Sequence, residues 1–257
     1  MPRLSRLLLP FALGLGSATA MAAPAGYLER GALDAVAILP PSPAAGSERD
    51  RADRRIFRET RRLEGSPRWQ AATADVPADM PAMLRVFSCP IGARLTPDNA
   101  PRTAALLARL YGDLHDAVTV PKDVFKRRRP FLVDQGNICA SREELAKSWD
   151  YPSGHTVLGW SIALILAEAV PERASAILAR GRAYGESRVV CGAHNASAVA
   201  AGRTAGAALV AALHGSPAFR DDVAAARAEL AALRTAPDAP DAPACAAQQA
   251  LLAPTPY

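Results

Sequence analysis

The sequence has few aromatic residues, 5% of 257, and no long stretch in which β-branched and polar residues alternate. A half-buried strand needs such alternation, so its absence, together with abundant alanine, points to an all-α chain. Beyond the N-terminal region no uninterrupted apolar run reaches the roughly 18 residues of a membrane span. Arg203 and Thr204 interrupt the Ala-rich stretch from Asn195 to Leu213, which argues against a span in the mature chain. No Cys-x-x-Cys pair occurs, which argues against a zinc knuckle. Charge of one sign is also lacking: the net +5 is mild and makes no case for a nucleic acid polymer as partner.

What is present suits one domain with extensions. Arg3 and Arg6, then the apolar run Leu7 to Leu15, then Ala18-Thr19-Ala20 and Ala20-Met21-Ala22 have the layout of a signal peptide over residues 1–22. That predicts export to an oxidising compartment, where Cys89, Cys139, Cys191 and Cys245 can pair. Three pairings are open, and the sequence does not choose among them. Residues 23–47, with Leu39-Pro40-Pro41-Ser42-Pro43, read as an extended arm. Residues 48–234 carry helical spacing, and its most apolar helix runs from Thr156 to Val170. Residues 235–257 hold five prolines and read as a Pro/Ala-rich tail that Cys245 is able to staple down.

Three polar islands stand out. Lys122 to Pro130 (KDVFKRRRP) is densely basic; alone, it is most simply a solvated charge run, with Lys126, Arg127 and Arg128 mostly exposed. Tyr151 to His155 (YPSGH) places a tight turn immediately before a helix, where free N–H groups and the helix dipole favour an anion; a Ser N-cap explains it equally well. Ser187 to Ala198 (SRVVCGAHNASA) brings Arg188 and His194 together around Cys191-Gly192. His115 and His214 read as surface or capping residues, and Cys191 as structural.

In this order and spacing, the islands resemble the motifs of the bacterial class A non-specific acid phosphatases. These belong to the phosphatidic acid phosphatase type 2 and vanadium haloperoxidase superfamily. The resemblance runs from about Leu39 to Arg220 and includes GESRVVCG and ALHGSPAF. It implies a single all-α helical-bundle domain, a periplasmic enzyme acting on small-molecule phosphate monoesters, no metal and no cofactor. A homo-oligomer is a further implication. It assigns His194 as nucleophile through a phosphohistidine, and His155 as the acid that protonates the leaving group. Lys122, Arg129 and Arg188 become the cradle for the phosphate, with Ser153 and Gly154 as neutral donors. The chemistry agrees, because phosphoryl transfer needs fixed positive charge more than covalent machinery. Two histidines acting in different protonation states imply a bell-shaped pH profile on the acid side.

One position departs from the pattern. Where the family has an aspartate four residues after its histidine, this chain has Ala198. That carboxylate fixes the tautomer of the nucleophile. Three readings follow: another group (Ser197, a backbone carbonyl, or an acid from elsewhere) replaces it; the enzyme is slow; or the chain binds phosphate without turnover. A vanadate-dependent haloperoxidase-like enzyme is the alternative reaction class.

Overall fold

The computed structural model describes residues 25–257; the signal-peptide reading of residues 1–22 lies outside them. Among the described residues there is no strand, as expected of an all-α chain. The helices are α1 (Ala35–Ile38), α2 (Glu48–Thr60), α3 (Pro67–Ala74), α4 (Met80–Ile91), α5 (Pro101–Leu114) and α6 (Val120–Phe125). They continue with α7 (Arg142–Ala146), α8 (Gly154–Ala169), α9 (Ala174–Val190), α10 (Ala196–Leu213), α11 (Pro217–Leu233) and α12 (Ala242–Leu252). The starts follow from local chemistry. At Ser66-Pro67 and Ser216-Pro217 the serine hydroxyl caps a backbone N–H three residues on, while proline takes the first helical position, where no donor is needed.

Helix α8 is apolar on nearly all sides and is the core element. Helices α9 and α10 pack most extensively on it, and α5 and α11 pair with each other and also touch α8. Close approach depends on glycine. A Cβ at Gly202 would lie 2.9 Å from the Ser153 carbonyl oxygen, and one at Gly206 2.9 Å from that of Val157. These two residues seat α10 against the start of α8, where the YPSGH turn lies.

Two sequence readings need correction. Helix α10 is long and apolar enough to cross a membrane by length and composition, with a mean hydropathy of 1.4, so Arg203 does not exclude a span on that ground. Its apolarity serves the core: Ala198, Val199, Ala205, Leu209 and Leu213 are all buried. The stretch expected as a tail contains α12, and Cys245 bonds to Cys89 of α4. The other pair is Cys139–Cys191, which fixes the pairing that the sequence left open.

Candidate active site

The three islands converge. Helix α9 carries Ser187 and Arg188 in its last turn, and Gly192 then reverses the chain at φ +76°. A Cβ at Gly192 would strike the Arg61 guanidinium. Arg61 holds this turn by donating through Nη2 to the Val189 and Val190 carbonyls at 3.0 and 2.6 Å, and through Nη1 to the Asn137 carbonyl. The Cys139–Cys191 bond ties the same turn to the loop before α7. The reversal brings the N–H groups of Ala193 and His194 back to the Arg188 carbonyl, at 3.0 and 3.2 Å. Arg188 and His194 thereby face one region although five residues separate them.

Arg188 is 1% exposed, and its Nε and Nη1 are buried with no hydrogen-bond partner. Arg129 is also buried; its Nε donates to the Ser148 carbonyl at 2.7 Å, and its Nη1 to the Ala193 carbonyl at 2.8 Å and to His194 Nε2 at 3.0 Å. Lys122, on α6, donates to Ser148 Oγ at 3.2 Å and to the Trp149 carbonyl. Burial and then the neighbouring Arg129 bring the Lys122 ammonium down to about 7. Burial with Arg188 likewise lowers Arg129 to about 10, against a pull upward from Asp150. Three basic groups thus crowd together with Asp150 as a nearby carboxylate, an excess of positive charge that favours an anion.

Ser153 caps α8, its Oγ accepting from the Thr156 N–H at 3.4 Å and from the Thr156 hydroxyl at 2.9 Å. The capping reading therefore holds, while the Ser153 hydroxyl proton and the Gly154 N–H remain at the helix start. His155 Nε2 lies 2.9 Å from the Val76 carbonyl, which makes Nε2 the N–H and leaves Nδ1 as the exchangeable nitrogen. Burial, followed by the charges of Arg188, Arg129 and Lys122, lowers the His155 pKa to about 3.

His194 is 3% exposed and sits just before Asn195, the N-cap of α10, not on the helix. Its Nδ1 lies 2.8 Å from the Asp150 carbonyl and 2.9 Å from Asp150 Oδ1, so Nδ1 carries the proton and Nε2 the lone pair. Burial and the same cations hold its pKa well below the usual histidine range. Asp150 itself is fully buried and also accepts from the Asn195 N–H at 3.2 Å and from Asn195 Nδ2 at 2.8 Å. Burial pushes its carboxyl upward, while Arg127 and the Asn195 donors pull it back.

Two of these residues were missed in the sequence. Asp150 stands directly before YPSGH, and its only signal was an acid adjoining a motif. Arg127, expected to be exposed, is buried: it pairs with Asp53 at 2.9 Å and Asp50 at 3.1 Å on α2, and lies 3.8 Å from Asp150. Ser197 bonds to Asp53 and Arg127 and does not serve His194. Lys126 and Arg128 are exposed as expected. His115 is half-exposed and His214 pairs with Glu168.

Beside His155 an open cavity of about 390 Å³ is lined by Ala78, Tyr111, Leu114, Val118 and Leu158. A larger cavity of about 610 Å³ lies among α4, α9 and α12 and contains none of the motif residues.

The constellation gathers three basic side chains and two histidines on an all-α scaffold, and the comparisons show the family to which the chain belongs. The model of the PAP2 superfamily matches residues 104–221, which contain all three islands. An acid phosphatase of Zymomonas mobilis is 42% identical over 204 residues, 79% of this chain and 77% of that protein. Non-specific acid phosphatases of Salmonella typhimurium (39% identity; 75% of this chain, 78% of that protein) and Providencia stuartii (35%; 79% and 83%) are similar along comparable lengths. The chain belongs to the PAP2 superfamily, among its bacterial acid phosphatases.

Proposed function

We propose that this protein hydrolyses phosphate monoesters at acid pH through a phosphohistidine on His194. The observation that carries the reading is the buried Arg188 with two unpartnered donors, beside Arg129, Lys122 and a histidine whose Nε2 lone pair faces them. A buried donor without a partner costs about 1–3 kcal/mol, a cost that a bound phosphate oxygen removes. The arginines suit bidentate contact with phosphate, and the start of α8 adds the Ser153 hydroxyl and the Gly154 N–H.

In this mechanism the phosphate displaces Arg129 from His194 Nε2. Nε2 attacks phosphorus, the P–O ester bond breaks, and the proton on His155 Nδ1 passes to the departing oxygen. His155 then takes a proton from water, which attacks the phosphohistidine and releases inorganic phosphate and a regenerated His194. Burial and the cradle's charges hold His155 neutral. The dianionic substrate offsets the three cations and raises the pKa of His155, so the acid arrives with its substrate.

The cavity beside His155 lies where the leaving group departs. Its apolar lining supports aromatic and other flat organic leaving groups, including those of nucleotide monophosphates. Two disulfides are consistent with export to an oxidising compartment. Steady-state hydrolysis of p-nitrophenyl phosphate tests the reading. Turnover that His194→Ala abolishes is expected; tight phosphate binding without turnover contradicts it, and halide oxidation with vanadate and peroxide in its place would favour the haloperoxidase alternative.

A further inference from the structure

We propose that Asp150 is the residue that positions the His194 nucleophile, doing from the loop before α8 what Ala198 has no group to do from α10. The inference rests on the phosphohistidine reading and names the residue on which that reading depends for orientation.

The argument begins at the helix start. Asn195 caps α10, which makes Ala198 the third residue of the helix. A carboxylate at that third position reaches back over the N-cap backbone N–H, as in a capping box. Here that N–H, of Asn195, is taken by Asp150 Oδ1 at 3.2 Å, and the same oxygen lies 2.9 Å from His194 Nδ1. Asp150 thus occupies the electrostatic place of a third-position acid while approaching from the opposite strand of chain. The space is shared closely: Ala198 is fully buried, and its carbonyl accepts the Ser153 N–H at 3.0 Å.

The rest of the contact set keeps the carboxylate in place. Oδ2 accepts from Asn195 Nδ2 at 2.8 Å, and the Asp150 N–H donates to the Arg127 carbonyl at 2.9 Å. The Arg127 guanidinium lies 3.8 Å from Oδ2 and is itself anchored to Asp50 and Asp53. A line of alternating charge therefore runs from α2 through Arg127 and Asp150 to the imidazole. Asp150 also stands three residues before Ser153 and five before His155. One turn of chain then fixes both the nucleophile and its acid partner, a coupling that a carboxylate on α10 would not provide.

The test compares Asp150→Asn with the unaltered protein. The amide keeps the shape but not the charge. In the serine-protease triad the same change costs about 10⁴ in kcat, which sets the scale expected here. Loss of kcat by about 10³-fold or more, with inhibition by inorganic phosphate unchanged within about threefold, supports the proposal. A kcat within about threefold of the unaltered protein overturns it, and so does an equal loss of phosphate affinity, which would mark a merely structural role. The double variant Asp150→Ser with Ala198→Asp moves the carboxylate to the helix. Recovery to within about tenfold of the unaltered kcat supports the exchange of roles; a folded, phosphate-binding but inactive double variant contradicts it. Independently of any variant or turnover, nitrogen NMR of the His194 ring in the unaltered protein must show the Nδ1–H tautomer. An Nε2–H ring refutes the proposal even in a working phosphatase, and an Nδ1–H ring supports it even if no ester is hydrolysed.

Discussion

Arg129 Nη1 donates to His194 Nε2 at 3.0 Å, so a guanidinium sits on the ring nitrogen proposed to attack phosphorus. The contact keeps the imidazole neutral, because Nε2 accepts a hydrogen bond from a cation that cannot give its proton up. It is also an interaction that the substrate replaces, since the guanidinium gains two phosphate oxygens for one ring nitrogen. Arg129 reaches this point from an island of five basic residues, of which only Lys122, Arg127 and Arg129 are buried.

Arg188 separates stability from activity most clearly. Its side chain is buried with two donors unpaired, so Arg188→Ala is expected to leave the melting temperature of the empty protein unchanged or raised. The same change should lower kcat/KM by about 10²–10³-fold. Thermal unfolding with and without inorganic phosphate checks both: the phosphate-induced rise seen in the unaltered protein should vanish in the variant.

Lys122 sets the alkaline limb. Burial and Arg129 bring its pKa from 10.5 to about 7, so the cradle loses a cation as pH rises through that value. The plot of kcat/KM against pH should fall above about 7, and Lys122→Arg, which does not titrate in this range, should move that limb upward. Stability of the empty protein runs the other way. Between about 7 and 10.5 the unfolded lysine holds a proton that the folded one does not, so the fold gains stability as pH rises through the window. Chemical unfolding at a series of pH values measures this directly.

Ala198→Asp alone should not improve the enzyme. A second carboxylate would enter a buried space beside Asp150 and compete for the Asn195 N–H. An unpaired buried charge costs about 3–5 kcal/mol, so the variant should unfold at lower denaturant and turn over more slowly. A rise in kcat by orders of magnitude would mean that His194 lacks a proper orienting group in the unaltered chain.

The two disulfides should differ in what they protect. They close separations of 52 and 156 residues, for which chain entropy gives about 4 and 5 kcal/mol. Replacing either pair with serine should therefore lower the melting temperature. Only the Cys139–Cys191 pair joins the Arg188–His194 turn to another loop, so only its loss should also lower kcat, measured on p-nitrophenyl phosphate below both unfolding transitions.

The sequence made the all-α class and each of the three motifs legible because each is local. Helical spacing, serine caps and three short motifs occupy contiguous residues. The orienting group was not legible: Asp150 and His194 are 44 residues apart, and no periodicity links them. The exposed reading of Arg127 failed for a related reason. Its partners Asp50 and Asp53 lie on α2, far from Arg127 along the chain. Arg203 and Thr204 were too little to break the apolar run of α10, whose glycines lie against α8 and show that its apolarity serves the core.

Trapping the intermediate tests the account most directly. The protein is mixed with substrate and quenched in alkali, where phosphohistidine survives, and the peptide containing His194 is examined by mass spectrometry. Slow breakdown in His155→Ala should make the species accumulate. The account predicts a phosphoryl group on His194, absent in His194→Ala. Rapid turnover with no phosphoryl group on that residue, or a label that persists after His194→Ala, would contradict it.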